Sequence, residues 1–255
     1  MSRCVEFSLQ PVAVTWEVHH GRHACRAPLW RHRTGPEHQF LGRPLAPGAA
    51  REVPPQAIRK GHLATLRQEH GTCIHRVGGT SEWSGPAGDG LSTSDPGWTL
   101  GVQTADCLPI LLADPGRGVA AVLHAGWRGS AQGIVLKGIE HLRSEYGCRP
   151  TDLEAVLGPG VGGCCYEVGD EVLEAFRNGP LADVSHFRPH GAAHWIIDLA
   201  QTNARALIRA GVSPHKLQAL DACTCCTNDR LHSYRAEGTS AGRNWSLLSP
   251  GHPVV

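Results

Sequence analysis

The chain has 255 residues, of which 41% are hydrophobic, with 24 Lys and Arg against 23 Asp and Glu. That is enough apolar material for a sizeable core, and one globular domain spanning residues 1–255 is expected. A net charge of +1 without a Lys/Arg run argues against nucleic-acid partners and against a polybasic membrane patch. No apolar stretch of about 18 residues occurs, and the N-terminus MSRCVEFSLQPVAVTWEV lacks a basic start followed by a long apolar core. The expectation is a soluble, cytoplasmic protein.

Ten cysteines and sixteen histidines are unusually many. Cys164 and Cys165 are adjacent, as are Cys225 and Cys226, and no secretory signal precedes them. Free thiols or metal ligands are therefore favoured over disulfides. A closed zinc module built on Cys164, Cys165, Cys223, Cys225 and Cys226 is disfavoured, because adjacent cysteines chelate poorly and no CxxC pair with a matching partner is seen. His19, His20, His23 and His32 lie in a polar stretch without ligand spacing and read as surface residues.

Along the chain, the first 50 or so residues show little periodicity, and PLAPGAAREVPP reads as a loop. A helix is expected over Ala57–Gln68, then a strand starting just after His70, a loop SEWSGPAGDGLSTSDPG, and a strand WTLGVQTA. Two apolar runs follow, LPILLAD and VAAVLHA, joined by a DPGRG segment. If the turn spans Asp114–Arg117, Ala113 faces Gly118 and Cys107 lies directly opposite His124. Opposed residues share a sheet face with Cβ atoms roughly 5 Å apart, close enough to share a metal or a proton. Pro109 cannot donate to a ladder, so its strand is expected at an edge or with a bulge.

GWRGS then leads into a helical pattern with Ser130 as candidate N-cap. This strand, glycine loop and helix start point N–H groups outward, and Arg128 and Gly129 become candidates for binding an anion such as phosphate. LEAVLGPG suggests a strand and a glycine loop, with a helix starting near Gly169. Asp198 caps a helix ending at Gly211. Arg235, in SYR before a glycine-containing turn, is placed to reach an anion. Interleaved strands and helices indicate an α/β class with mixed sheets.

Six ordered motifs carry a resemblance. TADCLPILLAD, AAVLHAGWRG, LGPGVGGCCYEVGDEV, DLAQTNARALIRAGV, DACTCC and HSYRAEGTSAGR resemble the YfiH-like family, also called the laccase-domain or polyphenol-oxidase family, from about Gln68 to Leu248. The resemblance implies an α/β/β/α fold with mixed sheets packed between helices. It implies purine nucleoside phosphorylase activity, with adenosine deaminase and methylthioadenosine phosphorylase side activities. It also implies a zinc site of His70, Cys107 and His124. The family's N-terminal TRxGGVS segment, NLG turn and long helix have only a faint echo in HRTGPEHQF, so residues 1–56 form a divergent segment.

Three protein ligands leave a fourth zinc position open for water, phosphate or substrate. The expected partners are a small-molecule nucleoside and phosphate, bound by a monomer or homodimer. Asp106, beside Cys107, is a candidate proton carrier or orienting residue. A rival enzyme class uses Cys107 as nucleophile and His124 as base without metal. The family resemblance links that chemistry to editing of UDP-muramyl peptidoglycan precursors. Copper could occupy a Cys/His site, but a four-copper oxidase needs paired HxH motifs, and the chain has none.

Overall fold

A computed structural model gives the fold and describes residues 11–19, 21–30, 36–45, 61–79 and 83–251. In chain order come β1 (Val12–Ala13), β2 (Glu17–His19), β3 (Arg22–Cys25), β4 (Glu37–Pro44), β5 (His62–Ala64), β6 (Ile74–Arg76) and β7 (Gly90–Thr93). Next are β8 (Trp98–Thr104), β9 (Leu108–Asp114), β10 (Val119–Ala125), α1 (Trp127–Ala131), α2 (Ile134–Tyr146), β11 (Glu154–Leu157), β12 (Glu167–Gly169) and α3 (Asp170–Arg177). The chain finishes with β13 (Phe187–Pro189), β14 (His194–Ile197), α4 (Leu199–Arg209), β15 (Leu217–Asp221), α5 (Tyr234–Glu237) and β16 (Asn244–Ser249).

The strands form a seven-stranded sheet in the order β1-β15-β11-β9-β10-β7-β6 and a six-stranded sheet in the order β2-β3-β4-β16-β8-β5. A three-stranded sheet, β12-β14-β13, completes the set. Parallel pairs such as β11–β15 and β6–β7 sit beside antiparallel ones such as β9–β10, which is the mixed α/β class the sequence indicates. Every residue of β9 and β10 is buried, because both faces of the central sheet are covered. Ile110, Leu112, Ala121 and Leu123 pack with Ile134, Val135 and Leu142 of α2 and with Phe176 and Leu207. Their alternate neighbours Leu111, Ala113, Ala120 and Val122 pack with Phe40, Leu100, Val102 and Leu248 of the six-stranded sheet.

The β9–β10 ladder differs from the expected register. Asp114 pairs with Val119 and Pro109 with His124, so the loop is 115–118 and the ladder is displaced by two residues. A two-residue displacement preserves the side-chain alternation, so Cys107 and His124 still share a face, now as diagonal neighbours. Nor is β9 an edge, since it lies between β10 and β11. Pro109 is tolerated because the His124 N–H turns away, to the Asp89 carbonyl, while past the end of β11 the Pro109 carbonyl still accepts from the Gly158 N–H at 2.9 Å. Pro109 thus keeps its acceptor in use although it has no N–H to donate.

Four further expectations are corrected. Residues 57–60 lie outside the described residues, but the second half of the expected Ala57–Gln68 helix contains β5, which pairs in parallel with β8. Its weak helical pattern yields to tertiary pairing. The loop expected before Asp95 contains β7, held between β10 and β6, where Gly-Leu-Ser-Thr offers little periodicity to read. Ser130 is not an N-cap: it lies buried inside α1, whose N-cap is Gly126, and its Oγ accepts a hydrogen bond from Asn203 Nδ2 at 3.0 Å. The poorly periodic N-terminal stretch contributes β1 to β4, whereas most of PLAPGAAREVPP falls outside the described residues. The helices expected near Gly169 and after Asp198 are present, and Asp198 accepts a hydrogen bond from the Gln201 N–H at 2.9 Å.

Candidate functional site

The site sits where the chain crosses between the two large sheets. β8 of the six-stranded sheet ends at Thr104, and Ala105-Asp106-Cys107 leads directly into β9 of the seven-stranded sheet. Asp106 takes a left-handed φ of 87° to make the crossing, an uncommon conformation for a residue with a side chain. Continuing the alternation of β9, Cys107 projects to the inter-sheet side, as does His124 near the end of β10. His70, on the loop before β6, also has a left-handed φ, 61°, and comes over the same point. The ligand atoms of His70, Cys107 and His124 all lie within 4.8 Å of one another, and the two imidazoles meet edge to face at 4.8 Å between centroids.

Asp89, immediately before β7, organises this cluster. Its buried carboxylate accepts from His124 Nδ1 at 2.8 Å, from the His70 N–H at 2.9 Å and from the Gly71 N–H at 2.7 Å. One side chain thus orients one imidazole and holds the loop that carries the other. Because Nδ1 of His124 is engaged, its Nε2 is the atom left for a ligand or for Cys107. Gly126 completes the fit. A Cβ there would lie 2.9 Å from Cys107 Sγ and 3.1 Å from His70 Cδ2, closer than real side chains pack, so only glycine admits the ligands.

Electrostatics reinforce the geometry. Burial alone would raise the Cys107 thiol, but hydrogen bonds and charge from His124 and His70 outweigh it and bring the thiol down to about 6. Burial likewise works against a charged His124, yet its bonds to Asp89 and Cys107 hold it up at about 9. Burial opposes ionisation of Asp89 as well, and the His124 and backbone hydrogen bonds overcome it, keeping the carboxyl below its ordinary range. Without an ion the cluster is thus a thiolate–imidazolium pair braced by a carboxylate, and with the His124 proton displaced the Cys/His cluster could bind a metal ion.

The cluster floors a cavity of about 560 Å³. Arg128, Arg235 and Arg243 line it together with Trp127, Tyr166, Tyr234 and Gln68. Arg128 stacks over the Trp127 ring at 4.2 Å, and Arg235 lies 5.5 Å from the Tyr166 ring centre while Nη2 donates to the Glu167 carbonyl at 2.7 Å. Burial raises the Tyr166 phenol well above its ordinary pKa, helped by the nearby charge of Cys107, so the phenol keeps its proton.

Of the residues singled out in the sequence, His70, Cys107, His124, Asp106, Arg128 and Arg235 all border this one cavity. Gly129 does not. It is buried behind the cavity wall, where a Cβ would lie 2.9 Å from the Gly71 carbonyl oxygen. Asp106 accepts three hydrogen bonds, from Thr224 Oγ1 at 2.6 Å, Ser233 Oγ at 2.7 Å and the Arg235 N–H. It acts as an anchor that ties the Arg235 segment to the Cys107 crossover. Asp89 was missed by the sequence reading, since an Asp-Gly pair in a glycine-rich loop signals only a turn. Gln68 was missed too. Its amide exchanges two hydrogen bonds with the Gln103 backbone, at 2.7 and 2.8 Å, standing in for a strand.

A second donor cluster lies elsewhere. Cys164, Cys165, Cys223 and Cys226 bring their sulfurs within 4.8 Å of one another, which corrects the expectation that these cysteines lack a matching partner. Cys223-Thr224-Cys225-Cys226 is itself a CxxC spacing, and its partner is the adjacent pair on the glycine loop.

Fold and site together define a class: a mixed α/β protein carrying a candidate metal centre of two histidines and one cysteine at the crossover between its two large sheets. The chain belongs to the YfiH-like family, described as multi-copper polyphenol oxidoreductase laccase, which it matches over residues 50–250. It is 35% identical over 206 residues to a purine nucleoside phosphorylase of Deinococcus radiodurans, covering 81% of this chain and 77% of that protein. It is 37% identical over 161 residues to adenosine deaminase RL5 from an unknown prokaryotic organism, covering 62% and 60%. Among solved structures, the Bacillus licheniformis hypothetical protein YfiH matches with a TM-score of 0.79 at 25% identity, over 92% of this chain and 98% of that one. The names of these relatives support an enzymatic role. Among the described residues, no helix is long and apolar enough to cross a membrane.

Proposed function

We propose that the chain is a zinc-dependent purine nucleoside phosphorylase for adenosine- and inosine-type nucleosides, with adenosine deaminase and methylthioadenosine phosphorylase as companion activities. The observation that carries this reading is the convergence of His70, Cys107 and His124 at the floor of a cavity whose walls supply arginines and aromatic rings. Two imidazoles and one thiolate suit zinc, and three ligands leave a position open. Copper could share those ligands, but a four-copper oxidase needs many more histidines than this cluster offers. Zinc held there would supply Lewis acidity at the open position.

The chain's own residues supply the rest. Arg128, Arg235 and Arg243 balance the charge of inorganic phosphate, and Trp127, Tyr166 and Tyr234 offer ring faces to a purine. In phosphorolysis a phosphate oxygen bonds to the anomeric carbon as the carbon–nitrogen bond breaks, and the electron pair leaves on the purine, which takes up a proton. The arginines thereby bind and orient the nucleophile, while Asp89 fixes the geometry beneath it.

A second reading is favoured by one specific arrangement, the series Cys107, His124 and Asp89, which supplies a thiolate, the imidazolium that has taken its proton and an orienting carboxylate for amide hydrolysis of UDP-muramyl precursors. Incubating the zinc-loaded protein with adenosine, with and without phosphate, separates the readings by product. Phosphorolysis yields adenine and ribose 1-phosphate only when phosphate is present, and deamination yields inosine. Untouched adenosine with zinc bound would overturn the nucleoside reading.

A further inference from the structure

The four-cysteine cluster lies apart from the cavity just described and uses none of its ligands. We propose that Cys164, Cys165, Cys223 and Cys226 form a closed, four-thiolate zinc site that staples the glycine loop after β11 to the segment after β15. A tetrahedral zinc with sulfur ligands at 2.3 Å has sulfur–sulfur edges of about 3.8 Å. Here Cys226 Sγ lies 3.6 Å from Cys164 Sγ and 3.4 Å from Cys165 Sγ, and all four sulfurs fall within 4.8 Å. The cage is thus already near the size that a zinc ion requires.

The surrounding backbone holds the two segments close. The Gly162 N–H donates to Cys223 Sγ at 3.2 Å, and a Cβ on Gly162 would stand 3.3 Å from both Cys164 Sγ and Cys223 Cβ, so glycine keeps the loop close. Two sulfurs would suffice for a disulfide, whereas four gathered from two separate segments match the ligand count of a structural zinc.

The two joined segments also bear on the cavity. Gly160 bridges to Cys223, and the Thr224 N–H donates to the Gly160 carbonyl at 3.0 Å. Thr224 Oγ1 holds Asp106, and Tyr166 follows Cys165 directly. A filled thiolate cage therefore fixes the wall beside the Cys107 crossover, without touching substrate.

The test is metal content and cobalt spectroscopy on the full chain purified anaerobically with a reductant. Wild type should hold two zinc ions per chain, falling to one in Cys226→Ser and to one in Cys107→Ala. In the cobalt-substituted protein, thiolate-to-metal charge-transfer absorption should report five bonded sulfurs, one from Cys107 and four from the cage. It should fall by about four-fifths when the cage is lost and by about one-fifth in Cys107→Ala. If Cys226→Ser does not fold, the wild-type intensity still decides the matter. A single zinc per chain, with cobalt absorption of one thiolate that disappears in Cys107→Ala, would overturn the proposal. So would a Cys164–Cys226 disulfide in a protein that, once reduced, takes up no second ion.

Discussion

The two donor clusters of this chain are built in opposite ways. His70, Cys107 and His124 come from three separate elements and are braced by a buried carboxylate, with one side left facing a cavity. The four cysteines come from two loops, are braced by the Gly162 N–H, and gather their sulfurs at one point. Mixed ligands with an open side suit chemistry at a bound ion, while uniform thiolates closed on all sides suit cross-linking. The contrast shows that cysteine count alone says little and that the bracing groups tell the two roles apart.

Breaking the open cluster should have the largest effect. His124→Ala removes a ligand and the partner of Asp89, and turnover is expected to fall to background together with one equivalent of bound zinc, read by metal analysis of the purified protein. Next comes Asp89→Asn, which keeps all three ligands but removes the charge that orients His124 and holds the His70 loop. Zinc affinity should fall by about 10- to 100-fold in chelator competition, and an unchanged affinity would show that the carboxylate serves folding alone.

Gly126→Ala sharpens the comparison from the side of packing. Its methyl group would crowd Cys107 and His70, so a loss of about 1–3 kcal/mol in stability is expected by denaturant unfolding, together with weaker zinc binding. Arg128→Ala should leave zinc content intact and raise the KM for phosphate about tenfold, matching the loss of one charge-assisted contact. Asp106→Asn should have the smallest effect, a few-fold loss in kcat/KM with full zinc content. A loss as deep as that of His124→Ala would mean that Asp106 takes part in chemistry rather than in anchoring.

How legible was this in the sequence? The shared face of Cys107 and His124 followed from two apolar runs, because a two-residue register displacement leaves alternation intact even though the turn was misplaced. The helix after Asp198 was legible from its cap, and Arg235 from its motif. Asp89 was not, since its role depends on a hydrogen-bond pattern formed only when three distant segments meet. β5 and β7 were invisible for the same reason: three- and four-residue strands owe their conformation to neighbours. The four-cysteine cluster had its CxxC in plain view, but the matching pair lies about sixty residues earlier, and the parallel β11–β15 pairing with the Gly160–Cys223 bridge brings the two together.

The central claim is that the open cluster works through a bound ion and not through Cys107 as a bare nucleophile. The most direct measurement is phosphate-dependent turnover of adenosine by metal-stripped protein as zinc is added back, alongside His70→Ala. Activity that is absent without metal, returns with zinc, and stays lost in His70→Ala is the predicted result. Full turnover by the stripped protein, or by His70→Ala, would contradict it and leave Cys107 and His124 acting alone.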